Sequence, residues 1–261
     1  MAPAKEGTGR AVAIAGFPAL VIVVVAVAIG AGLGSPIVGL VVAVVVGAAV
    51  WAGVWFGAER LIVSRLGGSF VEDDDVPRAA NLVDGLCATM GLPLPSLFLV
   101  DDPFRGALAV GRNERSAVLV LTTGLLRALD PVELEGVLAH ELSHVKSGDM
   151  AKGTMAAAVV LPLAPILSGS PELVRKLAGS GRELAADVRA SSVTRYPPGL
   201  RDAIVKMSAG PPPAPPSAIA SPGTSRVLRW LWTVVPELLA PASTVGVLDA
   251  PATRIAALDE A

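Results

Sequence analysis

Cysteine is nearly absent from this 261-residue chain: Cys87 is the only one, which excludes an intrachain disulfide framework and fits a reducing, cytoplasmic setting. Nor is there an excess of positive charge. Lys and Arg number 21 against 23 Asp and Glu, a formal net charge of −2, so the electrostatic footprint of a nucleic-acid binder is missing. No internal repeat and no phosphate-binding glycine loop stands out. Between Ala11 and Ala58 there is no charged residue at all. A Gly-Ala-Gly-Leu-Gly-Ser-Pro turn at 30–36 divides that run into two valine-rich halves, about 11–30 and 36–57, each near the ~20 residues needed to cross a bilayer. Neither half carries the polar stripe of a core helix, so residues 1–66 read as a membrane anchor with two transmembrane helices. Lys5 and Arg10 precede the first span, Arg60 and Arg65 follow the second, and the turn is uncharged. The positive-inside tendency therefore puts both ends, and the domain that follows, in the cytoplasm. If the first half were instead a signal peptide, the second would still stop transfer and leave the remainder cytoplasmic.

Histidine is also scarce, and both copies fall in one window, His140-Glu141-Leu142-Ser143-His144. The window lies in a segment with a helix start at Asp130-Pro131-x-Glu133, a capping box with proline in the first turn, and a helix stop at Lys146-x-Gly148. Four residues are just over one helical turn, so the two imidazoles share a face and can grip one zinc ion, with Glu141 beside the metal as a general base toward water. A catalytic zinc takes three protein ligands. No third histidine exists, and Cys87 among Leu82, Val83, Leu86 and Met90 reads as a buried inert thiol, so the third ligand is expected to be a carboxylate. Arg182-Glu183-Leu-Ala-Ala-Asp187 supplies two carboxylates on one helical face. One can bind metal while the other holds a ligand histidine by its free ring nitrogen; the alternative is a solvated face paired with Arg182 and Arg189.

The set His140-Glu-Leu-Ser-His144, Ser147-Gly-Asp-Met150 and Arg182-Glu183-x-x-Ala186-Asp187 resembles the HtpX-type integral membrane zinc metalloproteases, relatives of the CAAX prenyl proteases. The likeness extends upstream through Gly91-Leu-Pro-Leu-Pro95, Val100-Asp-Asp-Pro103, Gly111-Arg-Asn113 and Thr122-Thr-Gly-Leu-Leu126, spanning about residues 78–207. It implies His140, His144 and Glu183 as zinc ligands, Glu141 as general base and Asp187 as the carboxylate behind a ligand histidine. Two departures are visible. Gly106-Ala-Leu-Ala109 stands where relatives commonly have Asn-Ala-Phe-Ala, and Arg254-Ile255 lacks the usual preceding Thr-His-Pro turn. The oxyanion partner is then left among Tyr196, Arg195 and Arg254.

The expected fold class is α+β: a mainly helical, zincin-like metalloprotease domain with a small sheet, anchored by the N-terminal transmembrane hairpin. The catalytic domain is assigned to 67–207. Residues 77–90 are expected as a helix, and Ser96–Val100, Ala107–Val110 and Ser116–Leu121 as strands, the last a candidate to hold an extended peptide by backbone pairing. The apolar stretch 153–170 cannot cross the membrane once, because Glu183 would then end opposite His140; it is expected as a membrane-associated or buried helix. A proline-rich linker covers 208–225 and a helical segment 226–261. The expected activity is zinc-dependent endopeptidase action at the cytoplasmic membrane face, on polypeptide substrates that the resemblance suggests are misfolded membrane proteins. The alternatives are a catalytically silent membrane scaffold and a zinc hydrolase of non-peptide amides.

Overall fold

The computed structural model describes residues 3–163, 170–179, 181–211, 219, 227–234 and 250–261. Two long helices, α1 (Pro3–Gly32) and α2 (Pro36–Ser64), fold back on each other as a hairpin. Gly34 turns the chain with φ 76°, and Pro36 opens α2 in the first turn, where a missing N–H costs nothing. Small residues form the seam: a Cβ on Gly30 would lie 2.4 Å from the Cα of Gly39, and one on Gly47 would lie 2.8 Å from Val23 Cγ2. Close backbone approach of this kind is how helices associate in lipid. The bulky chains point the other way, with Val24, Ile29, Val41, Val44 and Val45 exposed. Both helices are long and apolar enough to cross a membrane, and their exposed faces are what a core helix would bury.

Beyond the hairpin the sheet has four strands, β1 (Ser69–Val71), β2 (Ser96–Val100), β3 (Ala107–Val110) and β4 (Val118–Thr122), in the spatial order β1-β2-β4-β3. β1 runs antiparallel to β2, β2 parallel to β4, and β4 antiparallel to β3. β4 is thus interior and buried along its length, while β3 is an edge strand. The strand expected at 116–121 starts later because Glu114–Ser116 form a 3-10 turn capped by the Asn113 side chain. β1 has no counterpart in the sequence reading; its three residues are too few to show a period.

Helix α3 (Pro77–Met90) follows the acidic run, whose Asp73–Asp75 form a 3-10 turn. After the short α4 (Thr123–Ala128) comes α5 (Pro131–Ser147), bounded as its caps predict. Asp130 Oδ1 accepts from the N–H groups of Val132 and Glu133 at 2.9 and 3.0 Å, Glu133 Oε2 accepts from Asp130 N–H at 2.9 Å, and Gly148 ends the helix at φ 72°. From there α6 (Asp149–Val160) turns back. Its Ala151, Met155 and Ala158 pack on Ala11, Ala15 and Ala58 at the open end of the hairpin, so α6 is a buried helix joining the hairpin to the rest. Of the apolar stretch 153–170, residues 164–169 lie outside the described residues, as do 212–218 and 220–226 of the proline-rich linker. The remaining helices are α7 (Ser170–Ala178), α8 (Arg182–Thr194), α9 (Pro197–Ser208) and α10 (Pro251–Asp259). α5 lies between the sheet and α8 and α9. At its crossing with α9, Gly136 lies so close that a Cβ would meet Leu200 N at 2.8 Å.

Among the described residues of the helical segment expected over 226–261, 227–231 and α10 are helical and 232–234 are not. Residues 232–234 form a buried bend in which Trp232 is extended (φ −73°, ψ 142°) and Thr233 N–H donates to the Ala107 carbonyl at 2.9 Å. A strand-edge bond of this kind takes the N–H that a further helical turn would use.

Candidate metal centre

His140 and His144 project from one face of α5, and Glu183 faces them from the first turn of α8. His140 Nε2 lies 3.1 Å from Glu183 Oε2 and 3.2 Å from His144 Nε2, which is 3.5 Å from Glu183 Oε1. Donors bonded to one tetrahedral zinc at about 2.0–2.1 Å stand about 3.3–3.4 Å apart, so these separations suit a single small cation. Among the described residues these three side chains form the cluster able to hold a metal.

The other ring nitrogens are already occupied. His140 Nδ1 lies 2.8 Å from Asp187 Oδ1, and His144 Nδ1 lies 2.8 Å from Asp149 Oδ1. Each carboxylate fixes an Nδ1–H tautomer and turns the Nε2 lone pair toward the centre. Asp187 is fixed in turn by Arg254, whose Nε and Nη2 donate to its two oxygens at 2.6 and 2.7 Å. Arg182 Nε donates to Glu183 Oε1 at 2.8 Å and steadies that carboxylate.

The electrostatics of the cluster call for positive charge at its middle. Burial alone would pull both imidazoles down, yet Asp187 raises His140, and Asp149 with Glu183 raises His144 to about 10. Burial would push the carboxyls up, but His144 and Arg182 hold Glu183 well below its ordinary range, His144 holds Asp149 at about 2, and Arg254 holds Asp187 low. Carboxylates that keep protons on buried imidazoles at neutral pH would equally favour a divalent cation in their place.

Glu141 is 1 % exposed and sits beside the triad outside the donor set. Its Oε1 lies 2.5 Å from Thr233 Oγ1. Of the three oxyanion candidates, Arg254 is buried and committed to Asp187, and Arg254 Nη1 also donates to the Thr233 carbonyl. Arg195, in the left-handed region at φ 54°, and Tyr196 are exposed at the α8–α9 junction. The solvated-face alternative for Glu183 and Asp187 is not what forms, since both are buried. Cys87 is buried away from the centre, its thiol pushed up to about 11 by burial and then by Asp84. The strand at the centre is also corrected: β4 is paired on both sides and has no free edge, so β3 is the strand whose edge faces α5. Sequence reasoning missed Asp149 and Thr233. Asp149 stood in a noted motif and follows a glycine turn that folds it back on His144; Thr233, 92 positions from Glu141, carried no local signal.

Residues 76–193 match the model of Peptidase family M48. The match covers a little under half of the chain and includes both helices of the candidate metal centre. The M48 region contains the triad, Glu141, Asp149 and Asp187; Thr233 and Arg254 lie outside it. Similar proteins include a Protease HtpX homolog of Dictyoglomus thermophilum, 32 % identical over 186 residues, which covers 58 % of this chain and 60 % of the relative. A Protease HtpX homolog of Tropheryma whipplei is 33 % identical over 184 residues, 58 % and 63 % of the two chains. Protease HtpX homolog 1 of Streptomyces coelicolor is 32 % identical over 182 residues, 58 % and 60 %. The chain spans about three-fifths of the length of these relatives. No solved structure matches.

Proposed function

We propose that this chain is a membrane-anchored zinc endopeptidase that hydrolyses polypeptides at the cytoplasmic face, with misfolded membrane proteins as its substrates. The observation that carries the reading is the convergence of two Nε2 lone pairs and one carboxylate, each backed by a buried partner. His140, His144 and Glu183 would hold the zinc. When bound, the metal supplies a Lewis acid that polarises a carbonyl and acidifies water. Glu141 takes the proton of the attacking water and passes it to the leaving amine. Asp187 and Asp149 keep the imidazoles in register, Arg182 orients Glu183, and Arg254 keeps Asp187 ionised.

The membrane setting is supported by the two apolar helices, and the peptidase reading by the relatives' printed names. The cytoplasmic side is supported by Arg60 and Arg65 beyond α2. The test compares β-casein cleavage by zinc-loaded wild type and Glu141→Gln. Loss of a general base is expected to slow turnover by roughly 10²–10⁴-fold, with metal content unchanged. Equal rates would remove the peptidase reading and leave the silent scaffold, which the burial of Glu141 under Thr233 favours. Mass spectrometry of the products separates peptide-bond cleavage from hydrolysis of other amides.

A further inference from the structure

The β3–β4 register decides which backbone groups of β3 are free. Thr122 N–H donates to the Gly106 carbonyl at 3.2 Å, so the 106/122 pair is hydrogen-bonded. By the alternation of an antiparallel ladder, Leu108 and Val110 also bond toward β4, whereas Ala107 and Ala109 aim their N–H and C=O groups at the outer edge. That edge runs beside Glu141 and the triad. It is where an extended chain could add as a further strand.

A segment of the protein's own chain already lies there. Thr233 N–H donates to the Ala107 carbonyl at 2.9 Å, its hydroxyl lies 2.9 Å from the same carbonyl and 2.5 Å from Glu141 Oε1, and its carbonyl is taken by Arg254. A hydroxyl has one proton, and an ionised carboxylate is the stronger acceptor, so the side chain serves Glu141 while the main chain serves β3. Trp232 precedes it with extended backbone (φ −73°, ψ 142°). Its ring packs edge-on against Phe104 at 5.2 Å and covers Gly106, where a Cβ would come 2.8 Å from Trp232 Cε3. Thr233 is 1 % exposed, and with it in place Glu141 has no contact with solvent to speak of.

We propose that residues 232–234 are an internal pseudosubstrate: Thr233 takes the Ala107 carbonyl that an extended peptide on β3 would use, caps Glu141, and must be displaced before a polypeptide can enter. This rests on the peptidase reading above. The segment escapes cleavage because its Thr233 carbonyl is turned to Arg254. The niche between Phe104 and Gly106 would then receive an aromatic side chain of the incoming peptide when Trp232 leaves it.

A tethered competitor raises the apparent KM by the inverse of the open fraction and leaves kcat alone, because saturating substrate holds the edge open. In full-length, zinc-loaded protein cleaving β-casein, Trp232→Ala is expected to lower KM by roughly 10-fold, and the isosteric Thr233→Val by about 3-fold or more, with kcat within about twofold of wild type. Trp232→Ala removes a large buried ring, so Thr233→Val is the variant that keeps the packing. A synthetic peptide of residues 227–234 added to wild type should raise KM at constant kcat, and its Thr233→Val version should do so more weakly. An unchanged KM in folded Thr233→Val, a fall in kcat at constant KM, or a peptide that fails to compete would overturn the proposal. Those outcomes are distinct from failure of the peptidase reading, in which Glu141→Gln changes nothing or no form cleaves β-casein.

Discussion

The hairpin and the metal centre are built on opposite rules. In α1 and α2 the small residues face inward and valines and isoleucines face out, whereas around α5 and α8 the interior holds His140, Glu141, His144, Asp149, Glu183, Asp187 and Arg254. The first arrangement suits a hydrocarbon solvent, where close packing of backbones is what drives association. The second is stable because its buried charges have partners of opposite sign within hydrogen-bond reach, Glu141 excepted, which is held by the Thr233 hydroxyl. One region therefore tolerates changes of shape on its outer face, and the other tolerates almost no change of charge.

The largest expected break is at Asp187. Asp187→Ala strips Arg254 of its partner while both side chains are buried, and unpairing a buried charge costs about 3–5 kcal/mol. Denaturant unfolding of the detergent-solubilised protein should show it, whereas Asp187→Asn, which keeps part of the hydrogen bonding, should lose less. A smaller effect is expected at Asp149. Asp149→Asn leaves the fold in place but removes the charge behind His144, and zinc affinity measured by competition with a chelator should fall about 10–100-fold.

The pH dependence sharpens the comparison at the metal centre. In metal-free protein the His144 pKa is raised from 6.5 to about 10, so its contribution is complete below about pH 6.5 and is lost as pH rises through about 10. Asp149 is depressed from 3.8 to about 2, so its contribution is present above about pH 4 and is lost as pH falls through about 2. Zinc must displace the His144 proton at pH 7. Calorimetry in two buffers of different ionisation enthalpy should record proton release on binding, and affinity should weaken about tenfold for each unit of acidification per displaced proton. If no proton is released, the carboxylate pairing of the imidazoles is misassigned.

The smallest effects belong to the hairpin's outer face. Gly39→Leu should push α1 from α2, because even a Cβ there meets the Gly30 Cα at 2.7 Å, and should lower the yield of folded membrane protein without altering zinc per folded molecule. Exposed Val45→Ala should move the midpoint of unfolding by no more than about 0.5 kcal/mol.

Much of this was legible because it was local. The α5 boundaries follow from Asp130, Pro131, Glu133 and Gly148, and two four-residue spacings put both histidines on one helical face and both carboxylates on another, while the family resemblance singled out Glu183 as the third member of the triad. The hairpin followed from a run without charge. What the sequence could not show was lateral order. β4 follows β3 in sequence but lies inside it in the sheet, because β2 pairs with β4 in parallel, and so the wrong strand was expected at the cleft. Thr233 is a related case: its neighbours read as a helix, but its N–H goes to the Ala107 carbonyl at the edge of β3. The Gly106 departure acquires a physical correlate as well, since any larger residue there would collide with Trp232.

Arg254 comes from α10, 67 residues after the Asp187 it neutralises. A chain still being synthesised, with translation halted at residue 250, would carry both imidazoles, Glu141 and Glu183 but no guanidinium to balance the carboxylate behind His140. The charge balance of the centre therefore depends on a helix made after every other residue that builds it.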